Sequence, residues 1–226
     1  MKLSPKFEEA LVYATRVHGG QLRKKTRIPY IGHLLGVTAI AMEYGANETE
    51  AIAALLHDAV EDCGGPARQR EIEEKFGHAV GEIVAGCTDT DETPKPPWRE
   101  RKERYIAHLQ SASASTRLVS ASDKLHNAQA IVHNLREDGE EVWTRFKAGK
   151  EGALWYYRSL VTAFRKHGES ALIDELDRVV TEMENLASQS AKNGETRERT
   201  GQSAISTARS ESTIRRSDSS GSKKIL

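Results

Sequence analysis

A chain of 226 residues with 33 basic and 33 acidic side chains has no formal net charge at neutral pH, so global charge does not draw it to nucleic acid or an anionic membrane. The length suits one domain with a sizeable core plus an appendage, and excludes two large domains. Apolar runs are too short to span a bilayer and the first nine residues lack a secretory apolar segment, so a cytoplasmic protein with no membrane or nucleic-acid partner is expected.

Apolar residues recur at helical spacing nearly throughout, which predicts an all-α helical bundle. In chain order the expected helices are Lys6–His18, Tyr30–Tyr44, Glu48–Cys63, Gln69–Phe76, Val80–Cys87, Arg99–Gln110, Ser115–Asn134, Val142–Phe146, Gly152–Lys166 and Ser170–Leu186. Asn47, with Glu50 three places on, reads as a capping box, and Gly45 as the stop before it. Gln21–Pro29 is a basic loop and Thr88–Pro97 an acidic, proline-rich one. Both are too charged for a core. From Ala187 onward periodicity gives way to Ser, Thr, Arg, Glu and Gly, so residues 1–186 are expected as the domain and 187–226 as a disordered tail. Cys63 and Cys87 lack Cys-x-x-Cys spacing and read as free thiols.

His57, Asp58, Glu61 and Asp62 stand together in Leu55-Leu-His-Asp-Ala-Val-Glu-Asp62. At about 100° per residue on a helix, these four side chains fall within roughly 140° of arc. Ala51 to Leu56 contains no polar residue, so the helix is expected to pack in the core with its polar end at a cleft. Carboxylates crowded beside an imidazole repel one another unless a cation offsets them, and a divalent metal would do so. His33 lies on a helix among the core-like Ile31, Leu34 and Val37. Asp123 lies late in a helix that buries Leu118 and Val119.

In order along the chain come Ala14-x-x-x-His-x-x-Gln-x-Arg-Lys24, Pro29-Tyr-Ile-Gly-His33, Ala54-Leu-Leu-His-Asp-Ala-Val-Glu-Asp62, Phe76-Gly77 and Asp123-Lys-Leu-His-Asn127. This series resembles the HD phosphohydrolase superfamily and, within it, the hydrolase domain of RelA/SpoT proteins, the small stand-alone alarmone hydrolases of metazoan type above all. The resemblance implies His33, His57, Asp58 and Asp123 as metal ligands, with Mn²⁺ the usual ion. Such a donor set also takes Fe²⁺, Co²⁺ or Zn²⁺. Glu61 and Asp62 match the acidic pair that serves as general base and water orienter, with the division between them open. Arg23, Lys24 and Lys95 match cations that hold a pyrophosphate, Asn127 a residue at the nucleotide or the water, and Tyr156 an aromatic near the nucleotide. The extra residues in Pro94-Lys-Pro-Pro-Trp-Arg-Glu-Arg-Lys102 leave the contacts of Lys95, Arg99 and Arg101 open. His126, three residues from Asp123, is an alternative ligand, but the resemblance gives the place to Asp123. His18 is expected to make a structural hydrogen bond.

The implied activity is removal of the 3′-pyrophosphate from (p)ppGpp, giving GDP or GTP and pyrophosphate. Rival substrates on the same fold are (p)ppApp and the 2′-phosphate of NADPH. A rival of another class is a silent nucleotide-binding or antitoxin-like module. Oligomeric state is not legible in the sequence.

Overall fold

The computed structural model describes residues 2–90, 92 and 94–189. The expected tail therefore lies outside the described residues, apart from 187–189. Those three continue the last helix, and Ala187 is fully buried, so the folded part runs past the expected boundary.

The described residues form helices with no strand, and none of these helices is long and apolar enough to cross a membrane. α1 (Pro5–Val17) opens on Ser4, whose hydroxyl accepts the Lys6 N–H, with Pro5 in the first turn. The basic loop after it is closed by an antiparallel bridge between Leu22 and Pro29 and leads into α2 (Ile31–Glu43). α3 (Glu48–Leu56) begins with the expected capping box: Asn47 Oδ1 accepts from Glu50 N and Glu50 Oε2 accepts from Asn47 N, at 3.1 and 2.8 Å.

A single helix over 48–63 is expected, yet α3 ends at Leu56 and α4 (Ala59–Cys63) resumes after His57 and Asp58. The His57 Nδ1 nitrogen takes the Ala54 carbonyl at 2.8 Å, an acceptor the next turn of backbone bonding would have used. α5 (Gly65–Phe76) starts earlier than expected because Pro66 suits a first turn, and α6 (His78–Cys87) follows at once across Gly77, whose φ of 94 only glycine adopts readily. α7 spans Trp98–His108 and α8 spans Ala114–Asp138. α8 runs a turn beyond the expected Asn134, because Leu135 extends the buried stripe of Leu125, Ala128, Ile131 and Val132. The segment expected as helix Val142–Phe146 is a 3₁₀ turn, Gly139–Arg145, pinned by buried Val142 and Trp143. α9 (Gly149–Arg165) and α10 (residues 171–189) complete the bundle.

Two apolar clusters result. One joins α1, α2, α3 and α6, and the other joins α8, α9 and α10 through Leu125, Leu160, Leu176 and Met183. α3 is buried along its length: residues 51 to 56 are at most 1% exposed, and Leu55 and Leu56 are each worth about 1.5–3 kcal/mol of apolar burial. α2, α3 and α8 pack together, which holds the ends of α2 and α3 against the middle of α8.

Candidate metal and active site

His33, His57, Asp58 and Asp123 arrive from α2, the α3–α4 break and α8, and they converge. His57 Nε2 lies 3.1 Å from Asp58 Oδ2 and 3.6 Å from Asp123 Oδ1. His33 Nε2 lies 3.5 and 3.2 Å from the same two oxygens. Two donors bound to one ion at about 2.1 Å, at tetrahedral or octahedral angles, sit about 3.0–3.4 Å apart. Two of the observed separations, 3.1 and 3.2 Å, fall in that range, and the other two, 3.5 and 3.6 Å, lie just beyond it. His33, His57 and Asp58 also offer donor atoms all within 4.8 Å of one another.

The protons are arranged to suit a cation. His57 Nδ1 donates to the Ala54 carbonyl, so its Nε2 faces the cluster, where it is buried and hydrogen-bonds to nothing. An orphaned imidazole nitrogen between two carboxylates is the environment a divalent ion fits. Without an ion, a proton does part of that work. Burial opposes it, but the Asp58 charge, then the nearness of the Asp123 carboxylate, hold His57 well above the usual imidazole range. Burial likewise opposes ionisation of Asp58, but His57 and a hydrogen bond from His33 hold it well below the carboxylate range. Asp123 is held low against its burial by Lys124, whose Nζ donates to Oδ2 at 2.6 Å, and by both histidines.

Around the four residues stand partners of which sequence reasoning assigned only some. Tyr30 donates its hydroxyl to Asp58 Oδ2 at 2.5 Å, while its ring stacks on His18 and meets His33 edge-on. Its place in the Pro29–His33 motif was the available signal. His18 makes its expected hydrogen bond, with Nδ1 2.8 Å from Gln21 Oε1. Gln21 Nε2 in turn donates to Asp62 at 2.8 Å. Burial, then the Asp58 charge, push the Asp62 carboxyl up. Glu61 accepts from Lys95 Nζ at 2.8 Å and from the Asp89 backbone N–H at 3.4 Å, which ties the acidic loop to α4. Asn127 Nδ2 donates to Asp123 Oδ1 at 2.5 Å, and Arg23 Nη2 donates to Asn127 Oδ1 at 2.6 Å. His126 stands behind His33, Nδ1 to Nδ1 at 3.0 Å; burial, then the charges of His33 and Arg23, lower its pKa to about 4. Cys63 and Cys87 are free, as expected, and burial raises both thiols.

His33 and Glu61 form part of the wall of a cleft of about 730 Å³. Its cations are Arg23, Lys24, Arg101, Lys102, Arg145 and Lys147, and its apolar wall includes Ile131, Val142, Phe146 and Tyr157. Arg101 and Lys102 both pair with Asp89, whereas Arg99 pairs with Glu103 and stacks on Trp155. Lys95 reaches Glu61 but is not part of this wall. Nor is Tyr156, which is 7% exposed within a cluster of Trp98, Trp155 and Tyr157 and has no hydrogen-bond partner for its hydroxyl. Its neighbour Tyr157 is the tyrosine on the wall. Adjacent helix positions point about 100° apart, so a one-residue shift decides which ring faces the cleft.

The chain belongs to the HD domain family, whose profile matches residues 10–154. Among curated relatives, it is 33% identical over 135 residues to the GTP pyrophosphokinase rsh of Brucella ovis, covering 58% of this chain and 18% of that protein. It is 30% identical over 139 residues to the bifunctional (p)ppGpp synthase/hydrolase SpoT of Escherichia coli K12, covering 59% and 19%. The chain thus spans about a fifth of the length of these relatives. A solved structure described as a metazoan ortholog of SpoT that hydrolyses ppGpp superposes with a TM-score of 0.65 at 28% identity, covering 79% of this chain and 96% of that one. These likenesses agree with the all-α fold and the HD-type family read from the motifs.

Proposed function

We propose that this chain is a metal-dependent hydrolase that removes the 3′-pyrophosphate of (p)ppGpp, releasing GDP or GTP and pyrophosphate. The carrying observation is the juxtaposition of the imidazole–carboxylate cluster with a cleft large enough for a nucleotide, lined by six cations and by apolar side chains. A substrate with a phosphate cluster at one end and a flat base at the other fits both. The naming of the relatives as (p)ppGpp hydrolases supports the same choice.

His33, His57, Asp58 and Asp123 would hold the ion, with Mn²⁺ the proposed occupant. When bound, the ion supplies Lewis-acid polarisation of a phosphoryl oxygen and makes the attacking water more acidic. Glu61 and Asp62 then supply the base and the group that orients the water. Lys95 holds Glu61 in place, and Gln21 does the same for Asp62. Lys24 and Arg23 take the pyrophosphate through charge-assisted hydrogen bonds. Asn127 steadies Asp123 beside the nucleotide. Tyr157 lies against the nucleoside and Tyr156 supports it from behind. The substrate is a nucleotide of the cytoplasm, where the enzyme is proposed to act.

The test is a product assay of the purified, Mn²⁺-loaded protein against ppGpp, ppApp and NADPH. Metal-dependent pyrophosphate release from ppGpp, faster than from ppApp and without phosphate release from NADPH, is the expected result. No turnover of any of the three at saturating metal would leave a silent binding module as the reading.

A further inference from the structure

Five side chains around the centre close into a ring through four hydrogen bonds of linked direction, and the fifth contact, His33 Nε2 to Asp123 Oδ1 at 3.2 Å, is where an ion would sit. A guanidinium has donors and no acceptor. Arg23 Nη2 donates to Asn127 Oδ1 at 2.6 Å, so the Asn127 amide must turn its Nδ2 toward Asp123 Oδ1, the Asp123 oxygen that faces both histidines. Arg23 Nη1 lies 3.2 Å from His126 Nδ1, so that nitrogen must offer a lone pair. His33 Nδ1 lies 3.0 Å from the same nitrogen and therefore carries a proton, sharing that one lone pair with Arg23 in a bifurcated bond and leaving His33 Nε2 as the nitrogen aimed at Asp58 and Asp123. Reversing any one of these directions would set a donor against a donor or an acceptor against an acceptor.

The fold makes room for the ring. A Cβ on Gly36 would fall 2.2 Å from His126 Nε2, so the imidazole occupies the space that a side chain on α2 would fill. Arg23 is held in turn: its backbone N–H donates to Ile28 O at 2.9 Å, and its carbonyl accepts from Thr26 N at 2.9 Å and from the Thr26 hydroxyl at 2.9 Å.

We propose that Arg23 and His126 are positioning residues for the metal centre: through this ring, Arg23 sets which nitrogen of His33 carries its proton and which way Asn127 faces Asp123. The inference rests on reading His33 and Asp123 as ligands. It gives the basic loop a second task, since the same arginine that faces the cleft also organises the cluster behind it. His126 is thereby a partner of a ligand and not its substitute.

The experiment uses the full chain loaded with Co²⁺, whose paramagnetism moves exchangeable imidazole N–H protons of bound histidines far from the rest of the proton spectrum. Wild type should show two such signals, from His33 and His57. In Arg23→Met and in His126→Leu, the His33 proton loses its fixed acceptor, so its signal should broaden by solvent exchange while that of His57, bonded to Ala54 O, stays sharp. Co²⁺ affinity should fall about tenfold, the low end for loss of a partner behind a metal ligand. His126→Asn, which keeps an acceptor oxygen near the position of Nδ1, should restore both signals and the affinity. If Arg23→Met keeps both signals and wild-type Co²⁺ affinity, and only KM for ppGpp rises, Arg23 is a substrate contact alone and the inference fails. A wild-type spectrum lacking the His33 signal would overturn the ligand reading itself. Should Arg23→Met not fold, Gly36→Ala serves instead. Its added methyl displaces the His126 ring without removing a polar group, and retention of both signals there would equally refute the ring.

Discussion

Replacing Tyr30 with Phe isolates one hydrogen bond to one presumed ligand. The hydroxyl donates to Asp58 Oδ2 at 2.5 Å, and that oxygen also lies 3.1 Å from His57 Nε2 and 3.5 Å from His33 Nε2. Burial, then the Asp58 charge, raise the phenol pKa far above its usual range, so it remains a neutral donor at any working pH. Phenylalanine keeps the stacking on His18 and the edge contact with His33, so the packing should survive. A hydrogen bond to a charged group is worth about 1.5–3 kcal/mol. The Asp58 side chain is 22% exposed, so water can partly replace the lost donor, which argues for the lower end. About 1.5 kcal/mol corresponds to roughly tenfold in affinity. Competition of Mn²⁺ between the protein and a fluorescent chelator measures it directly. The expected result is a Kd raised by about tenfold, with helical circular dichroism unchanged and turnover recovered at saturating Mn²⁺. An unchanged Kd would refute the claim that the phenol orients Asp58 for an ion.

Glu61→Gln and Asp62→Asn should each lower turnover by about 10² to 10⁴ while metal content stays near wild type; loss of metal in either would make that carboxylate a ligand and displace His33 or Asp123. In the metal-free protein, the His57 contribution to stability is complete below its unfolded pKa of about 6.5 and is lost as pH rises through its higher folded value, while those of Asp58 and Asp123 are present above about 3.9 and lost as pH falls through their lower folded values. Calorimetry in chelator should therefore give a plateau of melting temperature between about pH 4 and 6.5, and Mn²⁺ affinity should rise with pH as His57 loses its proton; a melting temperature flat into alkali would contradict this. A chain ending at residue 189 should keep turnover, because the described core and site lie within it. A chain ending at 182 loses buried Met183 and Ala187 together with the Arg158–Glu184 pair. Loss of Met183 alone costs about 2–5 kcal/mol, at about 2–4 °C of melting temperature per kcal/mol.

The helical bundle, the capping box at Asn47 and the order of the HD motifs were legible in the sequence because they are local: they depend on spacing along one helix or on residues three or four apart. The candidate ligands were legible too, but only as residue types in motifs. That His33, His57, Asp58 and Asp123 bring their donor atoms to within 3.1–3.6 Å depends on how α2, α3 and α8 pack, and no sequence interval encodes it. The break at His57 was hidden because a side chain took a backbone acceptor, a choice that helix periodicity does not register. Which of two adjacent tyrosines faces the cleft turned on the rotation of α9 against α7 and α8, so Tyr156 and Tyr157 could not be separated by pattern. The partners of the ligands, Tyr30 on Asp58 and His126 on His33, are 28 and 93 residues away along the chain, and only tertiary packing makes them neighbours.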